Sequence, residues 1–157
     1  MPKAEITLRR ADLRDANDLF HVHREAVKAM CSGHYTYEQI DIWFTGRSPD
    51  VYFSEISAGQ IRLASVSGVT VGFVEYATGE VSKLFVLNAY SGMGIGQRLL
   101  LLGIEKAQQT GQPVIVIATL NSKRFYERHG FVKIHDTYFV RGDTELHYDV
   151  AKMAFSG

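Results

Sequence analysis

Three glycines stand at every second position, Gly92, Gly94 and Gly96, within LFVLNAYSGMGIGQRLL (84–100). An apolar run with strand character precedes them and a leucine-rich run follows. A strand that turns through glycine into a helix offers free backbone N–H groups and the positive end of a helix dipole. Glycine also lets the backbone approach an anion with no Cβ between them. The segment therefore calls for a strand–turn–helix unit and points to a bound phosphate. Two nucleotide-binding spacings fail on the residues present. A dinucleotide site takes G-x-G-x-x-G with an acidic residue at the end of the next strand. Here the spacing is G-x-G-x-G, and the next strand ends in Leu120-Asn121. A Walker loop needs a Lys-Ser or Lys-Thr after its glycines, and none follows.

The flanking sequence reads as a mixed α/β chain. Residues 5–10 alternate as a short strand, and Asp12 caps a helix whose apolar positions run from Leu13 to Met30 and stop at Ser32-Gly33. A second helix is predicted over 37–44, a loop over 45–50, and a short helix over 51–57 with Pro49 in its first turn. Segments 61–67, 70–77 and 80–87 form an antiparallel meander with tight turns at Gly68 and Thr78-Gly79. The helix after the glycines spans about 94–109, and Gly111 and Pro113 end it. VIVIATL (114–120) has the continuous apolar character of a central strand buried on both faces. Asn121 or Ser122 caps a short helix ending at His129-Gly130. Segments 131–140 and 144–150 close the chain as a hairpin through the RGD turn at 141–143. There is no repeat, low-complexity segment or linker, so residues 1–157 read as one domain.

Composition narrows the class of function. Lys plus Arg and Asp plus Glu number 17 each, so there is no basic footprint for nucleic acid. No apolar run approaches the roughly 20 residues that span a bilayer, and the N-terminal segment lacks the pattern of a signal peptide. Cys31 is the only cysteine, which excludes an intrachain disulfide and suits a reducing, cytoplasmic compartment. Of the six histidines, His21 and His23 are two apart on a helix and do not share a face. No metal site is expected.

Two segments carry a resemblance. LFVLNAYSGMGIGQRLL resembles the acyl-CoA-binding motif of the GNAT superfamily of N-acetyltransferases. Leu84-Phe85-Val86 match its strand end, Tyr90 its aromatic residue, and Gly94-Ile95-Gly96 its glycine core. LNSKRFYERHGF (120–131) resembles the downstream segment of the same family, with Asn121, Phe125, Tyr126, Gly130 and Phe131 in place. YTYEQIDIWF (35–44) is similar to a segment that follows the first helix in one branch. The resemblance covers essentially the whole chain. It implies a central, largely antiparallel sheet of about six to seven strands, with a splayed parallel pair (80–87 and 114–120) and about four flanking helices. It implies acetyl-CoA as co-substrate, no metal, and a primary amine, small or peptidic, as acceptor. It leaves a homodimer open.

The residue roles follow from the same resemblance. Leu84, Phe85 and Val86 would line the pantetheine arm, and the Val86 N–H would face the oxyanion. The amides of Ser91, Gly92, Met93, Gly94, Ile95, Gly96 and Gln97 would hold the pyrophosphate, while Phe125 would complete the cofactor site and Asn121 would face the pantetheine or the acceptor. Direct attack needs a neutral amine, although a lysine-type amine has a pKa of about 10.4. It also needs an oxyanion donor and a proton for the leaving thiolate. Tyr126 is the candidate general acid. Glu75 is a candidate base, with Glu80 and His34 as alternatives, although each carboxylate read alone is an ordinary solvated charge. With side chains alternating, Glu80 and Ser82 would share a strand face. His34, Tyr35 and Trp43 are candidates for the acceptor pocket. The chain departs from the family pattern twice: Ser91 stands where Arg or Gln opens the phosphate loop, and Ser82 where some members carry a glutamate. An acyl-CoA-binding module without catalysis is one alternative reading, and a nucleotide-binding domain of another fold is a second.

Overall fold

A seven-stranded sheet with strand order β1-β2-β3-β4-β5-β7-β6 organises the chain. The computed structural model describes residues 5–31, 33–140 and 146–156, with Met30 described by its backbone alone. The strands are β1 (Ile6–Arg10), β2 (Ile61–Val66), β3 (Val69–Ala77), β4 (Glu80–Val86), β5 (Val114–Thr119), β6 (Val132–Val140) and β7 (His147–Phe155). Only the β4–β5 pair is parallel. The α-helices are α1 (Ala16–Cys31), α2 (Tyr37–Trp43), α3 (Phe53–Ser57), α4 (Ile95–Ala107) and α5 (Lys123–Arg128). The RGD hairpin turn read at 141–143 lies outside the described residues.

Helix starts follow local chemistry. Asp12 and Asp15 form a capping box on a 3-10 turn (Leu13–Asp15) that runs into α1. Arg9 clamps the Asp15 carboxylate through two 2.8 Å hydrogen bonds. Thr36 and Gln39 form the same kind of box on α2. Pro49 opens a second 3-10 turn (Pro49–Tyr52), where its missing N–H costs nothing, and α3 continues from it.

The two faces of the sheet are covered differently. α4 packs Leu99, Leu100, Ile104 and Ala107 against Val74, Val81, Val114 and Val116 on one face. A Cβ on Gly103 would stand 2.8 Å from Val74 Cγ2, so this helix lies very close to the sheet. On the other face, Leu19 and Val22 of α1 meet Ile61, Leu63, Phe73 and Tyr52. A third cluster joins the end of α1 to α2 and β7 through Val27, Cys31, Tyr35, Trp43 and Tyr148.

β5 departs from the sequence reading. Its residues are not buried on both faces, because Ile117 is 44% exposed. The cause is its neighbour: β4 and β5 pair only at Glu80↔Ile115 and Val81↔Val116, and then diverge. The alternation on β4 also breaks. A register shift opposite Glu75 and Tyr76 makes Ser82 an extra residue, so Ser82 and Lys83 both reach toward Glu75.

Candidate active site

Where the parallel strands part, a cleft of about 580 Å³ opens. That size is ordinary for a small-molecule site. Leu84, Phe85 and Val86 of β4 form one wall, and Ile117 and Thr119 of β5 the other. The glycine loop closes one end. Ser82 and Lys83 line the opposite end, where the strands begin to part, and Ala26 and Cys31 of α1 also line the cleft, Cys31 beside Asn121 past the end of β5. Beyond Val81 the facing strand edges have no ladder partner, so the walls carry backbone donors and acceptors. The Leu87 N–H donates to the Val71 carbonyl on the β3 side at 2.8 Å. Strand alternation therefore sends the Val86 N–H the other way, into the gap.

The loop is shaped to hold an anion. Gly92 (φ 82°) and Gly94 (φ 80°) are left-handed, and open space surrounds both, so it is the backbone conformation that calls for glycine there. Gly94 is the N-cap of α4. The first helical bond runs from Arg98 N–H to the Gly94 carbonyl at 3.1 Å, so the amides of Ile95, Gly96 and Gln97 have no partner within the helix. A Cβ on Gly96 would stand 3.5 Å from the Phe125 ring, which places α5 across the cleft from the loop. Ser91, Gly92, Gly94, Ile95, Gly96, Gln97, Asn121 and Phe125 all line the cleft, whereas the Met93 side chain does not and is 40% exposed.

Sequence reasoning missed the far rim. Arg124, Arg128 and His129 line the cleft opposite the loop. The signal was present, since Arg124 and Arg128 are four apart and share a helix face.

Tyr126 is buried among Phe125 and Phe131, with ring centroids at 5.4 and 5.3 Å. Burial raises its phenol pKa. The hydroxyl has no hydrogen-bond partner among the described residues. Phe125, not Tyr126, forms the cleft wall at that point.

Glu75 is not the solvated charge expected of it. Its side chain is 7% exposed, and its Oε1 accepts from Ser82 Oγ at 2.8 Å and from Lys83 Nζ at 3.0 Å. α1 and the turn holding Tyr52 cover this part of the sheet. Nearby, His23 Nδ1 lies 2.7 Å from Tyr52 Oη, and its ring packs on Phe85 at 4.2 Å between centroids. Glu80, the alternative base, does not line the cleft.

The acceptor-pocket candidates are placed otherwise than at the cleft surface. Tyr35 and Trp43 are buried in the aromatic cluster with Tyr148, and His34 is exposed outside the cleft. The Tyr35 hydroxyl donates to the Asp149 carbonyl at 2.6 Å and accepts from the Leu120 N–H at 3.1 Å, tying the end of α1 to β5 and β7. Cys31 adds to the tie, its thiol donating to Asn121 Oδ1 at 3.2 Å. Burial pushes that thiol up to about 11, which keeps it protonated. Among the described residues, no group of three His, Cys, Asp or Glu could hold a metal ion. No described helix is long and apolar enough to cross a membrane.

Comparison with known proteins agrees with this geometry. The chain is 26% identical over 126 residues to the uncharacterised N-acetyltransferase YafP of Escherichia coli, covering 80% of this chain and 81% of that one. Its fold matches a GCN5-related N-acetyltransferase from Rhodopseudomonas palustris with a TM-score of 0.81 at 19% identity, covering 99% and 98% of the two chains. It also matches the PaiA N-acetyltransferase of Thermoplasma acidophilum, solved in complex with coenzyme A, with a TM-score of 0.75 at 23% identity, covering 97% and 99%. Residues 31–151 match the family described as Acetyltransferase (GNAT) domain, and the chain belongs to that family of acetyltransferase enzymes.

Proposed function

We propose that the protein transfers the acetyl group of acetyl-CoA to a primary amine by direct attack within a ternary complex. The carrying observation is that one cleft is lined both by the glycine loop and by residues of α1, with unpaired strand edges between β4 and β5. A pyrophosphate on the loop amides would lay the pantetheine arm along β4 and β5. An amine entering past Ala26 and Cys31 would meet the thioester midway. The complex of the PaiA relative with coenzyme A supports the same cofactor here.

In this reading the amine nitrogen attacks the thioester carbon, a C–N bond forms and the C–S bond breaks. The Val86 N–H stabilises the oxyanion. Tyr126, set behind Phe125 and kept protonated by its burial, is the candidate donor to the leaving sulfur, and its raised pKa makes it a hydrogen-bond donor first and an acid second. Glu75 is the final acceptor of the amine's proton. The acceptor is a small-molecule or peptide amine, and the lone buried thiol suits a reducing compartment.

The test is CoA release from acetyl-CoA against a panel of amines. Tyr126→Phe is expected to lower kcat by about 10²-fold while leaving the Kd for CoA within about twofold. Unchanged turnover in Tyr126→Phe across pH would remove the general-acid role. CoA binding without turnover of any amine would favour a silent acyl-CoA-binding module.

A further inference from the structure

Glu75 is isolated from the cleft except through two neighbours. Its Oε1 takes hydrogen bonds from Ser82 and Lys83, while its Oε2 is buried with no partner among the described residues. A buried carboxylate oxygen left unpaired is costly and calls for an explanation. Ser82 and Lys83 line the cleft, whereas Glu75 does not. The register shift in β4 makes this possible, since it brings two sequence neighbours to the same oxygen. The two differ in what they can do. The Lys83 ammonium has donors and no lone pair. The Ser82 hydroxyl commits its single proton to Glu75 and keeps lone pairs for a donor in the cleft.

We infer that Ser82 is a catalytic residue, the relay that carries the acceptor amine's proton to buried Glu75. The inference rests on the N-acetyltransfer reading above. A proton leaves the substrate ammonium for Ser82 Oγ as the hydroxyl proton of Ser82 passes to Glu75 Oε1. The freed nitrogen lone pair then attacks the thioester. Total charge in the site is unchanged, because the ammonium becomes neutral as the carboxylate does. Lys83 Nζ, 3.0 Å from the same oxygen, fixes the orientation of the carboxylate. The groups around Glu75 are Ser82 and Lys83 on β4 and Tyr52 beneath α1, with Arg47 close enough to act on Tyr52 and His23. Ser82 alone combines a bond to the carboxylate, access to the cleft and the ability to accept and donate a proton.

The experiment uses the full chain, acetyl-CoA, a primary alkylamine found active in the amine panel, and its β,β-difluoro analogue, which is less basic and has a far larger neutral fraction at the same pH. Ser82→Ala is expected to lower kcat/KM for the alkylamine by about 10²-fold at neutral pH, with recovery as pH rises. The same variant should handle the difluoro analogue at nearly the wild-type rate. Ser82→Thr should retain activity, Glu75→Gln should repeat the pattern, and the double variant should be no worse than either single one. The Kd for CoA, unchanged in all of them, verifies folding. Equal losses for both amines would reduce Ser82 to a structural role, and wild-type turnover with no loss in Ser82→Ala would sink the relay alone. CoA binding by the wild type with no amine acetylated would overturn the relay together with the reading it rests on.

Discussion

Arg124 and Arg128 sit one turn apart on α5, both line the cleft, and neither has a carboxylate partner among the described residues. Like charges at this spacing repel by about 0.2–0.5 kcal/mol, a cost that an anion in the cleft would reverse. The loop opposite supplies amides but no cationic side chain, since Ser91 stands where related sequences place Arg or Gln. The countercharge for a bound phosphate would therefore come from α5. Replacing both arginines by alanine is expected to weaken CoA binding by about ten- to a hundredfold, the loss of one charge-assisted hydrogen bond or more. Calorimetric titration at low and high salt checks this, and the variant should show the shallower salt dependence. At this scale the sequence was legible where a residue's role depends on its own backbone, as at Gly92 and Gly94. It was not legible where the role depends on what covers the residue. Nothing local to Glu75 announces that α1 and Tyr52 bury it, and Tyr35 and Trp43 read equally well as pocket or core until β7 is folded against them.

The strands and helices were largely readable from periodicity and punctuation, because apolar spacing, caps and glycine stops are local signals. Three element-level features escaped, the first being the far half of β7, which runs to Phe155 where the sequence reading ends the strand at 150. The break in alternation at Ser82 comes from the pairing of β4 with β3, and a strand's own sequence does not encode its partner's register. The open face of β5 escaped because VIVIAT is equally apolar whether its neighbour stays or leaves. Helix α4 shows a further element-level constraint. With a Cβ at Gly103 only 2.8 Å from Val74 Cγ2 and 3.3 Å from Val81 Cγ2, the helix would have to lift from the sheet. Gly103→Ala, which on helix propensity alone would stabilise by about 1 kcal/mol, is expected instead to destabilise by about 1–3 kcal/mol through overpacking. Urea unfolding of the two proteins decides the sign. Because α4 carries the glycine loop at its first turn, CoA affinity should fall along with stability.

Across the whole molecule, the formal charge is zero and the acid response is set by a few buried groups. His23 is 3% exposed, and burial first, then the charges of Lys83 and Arg47, lower its pKa from 6.5 to about 3. The folded protein therefore declines a proton that the unfolded chain accepts. Its contribution to stability is full above pH 6.5 and is lost progressively as pH falls toward about 3. Asp15, lowered from 3.8 by its hydrogen bond to Arg9, gives up its own contribution only at more acid pH. Denaturant midpoints between about pH 7 and pH 4.5 should thus fall steeply in the wild type and far less in His23→Gln, which starts from a lower stability. The short β4–β5 ladder has a consequence of its own for the molecule as a mechanical body. Strands β1 to β4 form one panel and β5 to β7 another, joined along the sheet by a seam of two residue pairs. A pantetheine arm lying in the gap would bond to both panels and supply the missing length of that seam, so loading the substrate would also stiffen the enzyme that consumes it.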